Sequence, residues 1–189
     1  QYDWQLSEVH GLGVGAMYSR ERARSESYGQ GFKSDTDTVN VYVQDRIAVG
    51  PHLAMLALGY THHETAGSEA TWNAEHGYAF NAQRTRVYGL AGSGFRAPDA
   101  TDRFGYGGNP ELKPERSQNY EVGVKHALTP QQSLTISAFH TDIEDLIDFT
   151  VLSYDPFEGI NQNVAEARIR GIESSWVYAA LASVTTGCI

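Results

Sequence analysis

The sequence predicts an all-β fold, an antiparallel transmembrane β-barrel wall of about eight strands cut from a larger barrel. Three observations predict it. Apolar and polar residues alternate with period two in one segment after another, as in Tyr120, Val122, Val124 and His126 against Asn119, Glu121, Gly123 and Lys125. The connections between segments run long, short, long, short, long, short, long, the order kept by barrels with tight turns on one side of a membrane and extended loops on the other. Finally, no run of about eighteen apolar residues interrupts a mean hydropathy of -0.40. A helical span is excluded, whereas strands that are apolar only at alternate positions are compatible with such an average.

The first strand is expected from Val9 to Arg22, with Leu12, Val14, Ala16 and Tyr18 on one face and Gly11, Gly13, Gly15 and Met17 on the other. The polar stretch from Ala23 to Thr36 has no periodicity and reads as a long loop. Asp37 to Val49 carries a stripe of Val39, Val41, Val43, Ile47 and Val49 opposed by Asn40, Gln44 and Arg46, and Gly50-Pro51 ends it. The return strand from His52 to His62 aligns Ala54, Leu56, Leu58 and Tyr60, and a second polar loop is expected from His63 to Thr71. Trp72, Ala74, Tyr78 and Phe80 then share a face with His76 as its one polar member, opposite Asn73 and Glu75. A short turn at Asn81 to Gln83 precedes a fifth strand, Arg84 to Phe95, whose facing is left open because Tyr88 and Leu90 oppose only Gly89 and Ala91.

Pro98 removes a ladder donor, and Asp, Gly, Asn and Pro dominate as far as Pro114, which is loop chemistry. The sixth strand starts at Ser117. Thr129-Pro130-Gln131 makes the third tight turn, and Leu134, Ile136 and Ala138 set one face of a seventh strand ending near Asp142. A last long connection passes Asp155-Pro156 and Gly159 to an eighth strand near Asn163, with Ile172 and Trp176 opposite Gly171, Glu173 and Ser175. Tyr60, Trp72, Tyr78, Phe80, Tyr120 and Trp176 fall towards strand ends, where interfacial girdles place amphipathic rings.

The balance of 14 Lys and Arg against 23 Asp and Glu, a formal charge of -9, argues against a nucleic-acid surface. Cys188 is the single cysteine, so neither an internal disulfide nor a cysteine zinc cage staples the fold. Catalytic arrangements are missing: there is no Gly-x-Ser-x-Gly turn and no Gly-x-x-x-x-Gly-Lys loop, and the chain is not expected to be an enzyme.

Gly-Phe-Arg-Ala-Pro at 94–98, Gly-Asn-Pro-Glu-Leu-Lys-Pro-Glu at 108–115 and Asn-Tyr-Glu-Val-Gly at 119–123 resemble the strand, loop, strand signature of TonB-dependent outer-membrane receptors. Asp-Ile-Glu-Asp-Leu-Ile-Asp at 142–148 and the run from Asn163 to Glu173 continue the likeness in order, and it extends to about Trp176. Within that family the resemblance is greatest to the cobalamin (vitamin B12) receptor group. It implies a Gram-negative outer-membrane protein, surrounded by outer-membrane lipid, that takes up cobalamin or another large chelate such as a siderophore. Energy would come from TonB acting through a plug region.

Barrels of this kind close with about 22 strands, so residues 1–177 are expected to be part of a wall with open edges and no plug domain. Residues 178–189, which lack a final aromatic, are expected to be a divergent or truncated tail. Two other classes fit less well. A small closed outer-membrane barrel acting as adhesin or enzyme would have to close at eight strands. A secreted carbohydrate-binding sandwich would need a dry core on the face that carries Asn40, Gln44, Glu75, Glu121, Lys125 and Glu173.

The candidate ligand-facing residues lie in the central loop: Arg96, Asp99, Asp102 and Arg103 as polar contacts, with Phe104 and Tyr106 packing on a corrin or siderophore face. Bracing of the loop itself is the favoured role, because the resemblance implies that the Phe-Arg-Ala-Pro and Asn-Pro motifs occur in receptors with differing ligands. Glu121 and Glu173 are lumen-facing candidates for pairing with the plug. His62-His63-Glu64 is an unfavourable metal set, because neighbours on an extended chain point to opposite faces. Asp142, Glu144, Asp145 and Asp148, or Asp35 with Asp37, could hold calcium in an outer loop, as the family resemblance suggests, or simply form a solvated acidic rim. No cofactor is otherwise expected.

Overall fold

The computed structural model describes residues 1–27, 30–164 and 166–179. Nine strands form one antiparallel sheet in the order β1 (Tyr2–Gln5), β2 (His10–Ser27), β3 (Gln30–Val49), β4 (His52–His63), β5 (Gly67–Phe80), β6 (Thr85–Arg96), β7 (Glu115–Thr129), β8 (Gln132–Glu144) and β11 (Glu166–Tyr178). A short helix α1 (Ala100–Phe104) lies between β6 and β7. Between β8 and β11 a separate two-stranded sheet joins β9 (Ile147–Tyr154) to β10 (Phe157–Asn163). Neighbours in sequence are neighbours in space, apart from this inserted hairpin. β1 and β11 are the open edges of the wall among the described residues.

Directly paired residues of an antiparallel ladder share a face, so the register assigns both sides of the sheet. Val14, Val43, Leu58 and Trp72 follow one another across β2 to β5 on the outer face. One residue away, Gly13, Gln44, Ala57 and Asn73 line the lumen face. Further along, Val87, Val124, Ile136 and Ser174 continue the outer face, and Arg86, Lys125, Thr135 and Ser175 the inner one. The sheet is a single layer. Its only buried hydrophobic residues among those described are Ala100 and Leu112, both beside the central loop. Ladder hydrogen bonds and an apolar surrounding phase therefore stabilise the wall, because no second layer covers Leu58, Val122 or Ile172, which are 64%, 63% and 79% exposed.

The outer face has two aromatic edges. Tyr18, Tyr60, Trp72 and Tyr120 stand about eight residues from the tight-turn ends of their strands, roughly 20 Å of depth for a strand tilted by about 45°. Tyr78, Phe80, Trp176 and Tyr178 lie near those ends, Tyr78 and Phe80 stacked at 6.3 Å and Trp176 and Tyr178 at 6.4 Å. The polar members of the outer face pair with each other at the same edge. His10 Nδ1 is 2.7 Å from Asp45, and His76 stacks on His52 with ring nitrogens 3.1 Å apart.

Several expectations are revised. The stretch from Ala23 to Thr36 is not a loop: β2 runs on to Ser27 and β3 begins at Gln30. Likewise β4 and β5 extend to His63 and Gly67, leaving only Glu64 to Ala66 between them. Beyond the lipid both faces of a hairpin can be polar, so the ladder persists where the hydrophobic period stops. The last long connection is itself the β9–β10 hairpin, and the eighth strand begins at Glu166 rather than near Asn163. Tyr2–Gln5 adds an edge strand not anticipated. The fifth strand resolves with Tyr88 and Leu90 on the lumen face, opposite Gly123 and Glu121. The tail expected from residue 178 lies, from position 180 onward, outside the described residues.

The tight turns depend on backbone freedom at two places. Gly50 takes a φ of 56° at the β3–β4 turn, whereas Asn81, Ala82 and Gln83 adopt positive φ values of 55°, 52° and 65° without any glycine. Such a run of side-chain-bearing residues is strained, and it closes the turn beyond the Phe80–Thr85 pair of β5 and β6.

Candidate functional site

The central loop between β6 and β7 and the β9–β10 hairpin form one body at the long-loop end of the wall. Asp99 caps α1: its carboxylate accepts from the Asp102 N–H at 2.7 Å, and Asp102 accepts from the Asp99 N–H at 3.1 Å. This reciprocal capping box satisfies two helix-start donors and fixes a five-residue helix too short to persist alone. Ala100 is pinned in the interior beneath it.

Arg96, at the end of β6, grips Glu115 at the start of β7 with two hydrogen bonds of 2.7 Å and reaches Asp102 at 3.0 Å. Glu115 also accepts from the Ile147 N–H at 2.9 Å, so one carboxylate joins the wall, the helix and the first residue of β9. The Arg96 guanidinium holds the Glu115 carboxyl below the usual glutamate range, against the opposing effect of burial and with help from the Ile147 amide. Asn163 closes the other side. Its side-chain carbonyl accepts from Lys113 N–H at 2.9 Å, and its amide donates to Lys113 O at 3.0 Å and Asp145 O at 2.6 Å. Asn161 adds a bond to Asp102 O at 3.0 Å and a backbone bond to Gly107 O at 2.6 Å.

Gly107 is where the two parts meet. Its φ is 66°, and a Cβ there would lie 2.6 Å from both Gly159 O and the Phe149 ring, so no side chain fits. The close approach brings Tyr106 against Phe149 and Phe157, with centroids 6.0 and 6.3 Å away, and Phe149 and Phe157 are 6.4 Å apart. The Tyr106 hydroxyl donates to Phe157 O at 2.8 Å. Tyr106 stays 64% exposed and Phe157 53%, so the cluster offers its faces to solvent. On the other flank the Arg103 guanidinium lies 4.9 Å from the Phe104 ring centroid, and Phe104 approaches Phe32 of β3 at 6.1 Å.

All six loop candidates thus fall in one body, in two roles. Arg96, Asp99 and Asp102 are engaged in holding the loop, while Arg103, Phe104 and Tyr106 present surface. Phe149, Phe157, Asn161 and Asn163 were not anticipated; the aromatic and amide spacing within 147–163 was their only signal. Glu121 faces the lumen and accepts from the Tyr88 hydroxyl at 2.7 Å, and Glu173 lies on the same face opposite Ser137.

The remaining polar sets are dispersed. His62 bonds Ser68, His63 accepts from the Ala66 N–H, and Glu64 accepts from the Asp37 N–H. Burial pushes the His63 imidazole below its usual range. Asp142 is on the outer face, bound by Arg168 at 2.7 Å and His140 at 2.9 Å; Asp145 is 4.0 Å from Arg116, and Asp148 accepts from the next amide. Asp37 is held by Arg20, and Asp35 shares its face. Among the described residues, no three His, Cys, Asp or Glu side chains converge on a point that could hold a metal ion.

Residues 1–186 match the family described as TonB dependent receptor-like, beta-barrel. The chain is 30% identical over 180 residues to the vitamin B12 transporter BtuB of Vibrio vulnificus, covering 90% of this chain and 28% of that protein's length. Among solved structures, the siderophore receptor PirA of Pseudomonas aeruginosa superposes with a TM-score of 0.78 at 19% identity, covering 91% of this chain and 37% of that one. The copper transporter OprC does so with 0.75 at 16% identity, covering 95% and 34%. A single-layer antiparallel wall with one apolar and one polar face, aromatic edges and a family match over almost its whole length lead to the same place: the chain belongs to the TonB-dependent receptor β-barrel family of the Gram-negative outer membrane.

Proposed function

We propose that this chain supplies part of the barrel wall and part of the external ligand surface of a receptor that imports cobalamin, with uptake energised by TonB through a plug region. The observation that carries the reading is the exposed ring cluster of Tyr106, Phe149 and Phe157 in a strongly acidic setting. From residue 144 to 166 the chain carries Glu144, Asp145, Asp148, Asp155, Glu158 and Glu166 with no Lys or Arg. Such a rim repels a polyanionic ferric catecholate and tolerates a large ligand without net negative charge, whose apolar faces the rings can cover. The likeness to a vitamin B12 transporter supports the same choice over a siderophore.

The wall takes part by geometry. Glu121, Glu173 and Lys125 give the lumen a hydrated, charged lining against which a plug can pack and move, and Glu121 and Glu173 are the residues proposed to pair with it. Calcium in the acidic loops would act only by drawing the carboxylates together, and Asp145, just before β9, and Asp148, within it, are the candidates. The test is equilibrium binding of cyanocobalamin to the full-length protein in detergent, beside a ferric catecholate. Saturable cobalamin binding that weakens about tenfold or more in Tyr106→Ala with Phe157→Ala supports the reading. Tighter binding of the catecholate overturns it, as does cobalamin uptake that persists in cells lacking TonB.

A further inference from the structure

We propose that the outward face of the β2–β3 hairpin, at Arg22, Arg24 and Lys33, binds the phosphorylated headgroup of an outer-leaflet lipid. The register sets these residues on the same face as Val14, Val43 and Tyr18, which look into lipid, and beyond Tyr18 towards the long-loop end. Arg20 comes first and is neutralised by Asp37, with bonds of 2.6 and 2.7 Å. The next two pairs are different. Arg22 stands opposite Asp35, and Arg24 stands opposite Lys33. Among the described residues, none of Arg22, Arg24 and Lys33 has a carboxylate at salt-bridge distance, although Asp35 and Glu26 share their face.

A like-charge pair directly across a ladder is destabilising, and here one such pair, Arg24 with Lys33, stands above the apolar band, where lipid phosphates lie. Arg20 is about ten residues along β2 from His10, at the edge of an apolar band about 25 Å tall, and Arg24 is roughly 10 Å further. A phosphate monoester between Arg24 and Lys33 would remove the repulsion, accept bidentate guanidinium bonds and leave Asp35 to Arg22. The other face of the hairpin is already occupied, because Phe32 points inward and meets Phe104 of the central loop. The hairpin is therefore held with its cations outward, and the surface lies apart from the ring cluster proposed for cobalamin.

The test titrates the full-length protein in detergent with lipid A, with dephosphorylated lipid A and with inorganic phosphate, read by native mass spectrometry and by the midpoint of thermal unfolding. Lipid A is expected to bind and raise the midpoint, and the other two are not. R22Q, R24Q and K33Q together are expected to weaken lipid A by about a hundredfold, at roughly fivefold per cation, with cobalamin binding unchanged. R24Q alone relieves the like-charge pair, so it is expected to fold and to lose about fivefold, which keeps the test valid if the triple variant fails to assemble. Wild-type lipid A affinity in R24Q or in the triple variant overturns the proposal, and so does equal binding of dephosphorylated lipid A or of inorganic phosphate. Loss of cobalamin binding in wild-type protein would overturn the transport reading and leave this one standing.

Discussion

Tyr88 on β6 covers Gly123 on β7: a Cβ at position 123 would sit 2.5 Å from the phenol carbon Cζ, and the hydroxyl donates 2.7 Å to Glu121. Similar covers recur on the lumen side, with Tyr42 over Gly15 and Phe139 over Gly171. Gly123→Leu is therefore expected to displace Tyr88, break its bond to Glu121 and lower barrel stability by about 1–3 kcal/mol. Gly89→Ala, on the outer face with only ordinary contacts near 4 Å, is expected to be close to neutral. Urea unfolding of the full-length protein in lipid vesicles, followed by heat-modifiable migration, distinguishes them; equal losses would contradict the cover.

The two faces of β3 make a second prediction. Val43→Arg places a guanidinium on the lipid face near mid-depth, at about 2–4 kcal/mol, and is expected to reduce assembled barrel. Gln44→Arg, one residue along, points into the hydrated lumen and is expected to assemble normally. The readout is the fraction of folded protein recovered from outer membranes, and a matching deficit in both variants would reverse the assignment of faces.

These faces were legible from the chain alone because one side of each spanning strand meets lipid and the other meets water. Val39, Val41 and Val43, or Val122 and Val124, carry that contrast in their spacing. The signal ends where the contrast ends. Ala23 to Thr36 is largely polar on both sides of the ladder, so its strands read as a loop. Tyr88 and Leu90 were ambiguous because only Gly89 and Ala91 oppose them, and only the register with Gly123 and Glu121 settles their direction. At the mouth, the residues of 96–106 could be singled out by composition, but their partners Glu115 and Asn161 are brought in by pairing across long separations, which spacing does not encode.

Acid should loosen the mouth before the wall. The folded-state pKa of Glu115 is depressed, so its contribution is fully present above the ordinary glutamate value and is lost as pH falls through the lower, folded value. Hydrogen exchange at the Ile147 amide, corrected for intrinsic rate, is expected to stay slow from neutral pH down through the ordinary glutamate range and to quicken only below it. Glu115→Ala, which removes the acceptor, should be fast throughout. Quickening already near neutrality would point to a different anchor for β9.

Asn163→Ala removes two hydrogen bonds that tie the β9–β10 hairpin to Lys113 of the central loop and a third that ties it to Asp145, just before β9. The expected loss is about 1–3 kcal/mol of local stability, seen as faster proteolysis within 97–114 and within the hairpin while the folded barrel survives heating as before. A drop in barrel stability of the same size would mean that the hairpin supports the wall.

Among the described residues β9 and β10 pair only with each other, so the hairpin from Ile147 to Asn163 can be exchanged without altering a ladder bond between β8 and β11. Its constraints are few: an amide at 161, another at 163, and an opening for Gly107. Exchanging this one hairpin would therefore change the proposed ligand surface while the membrane strands keep their pairing.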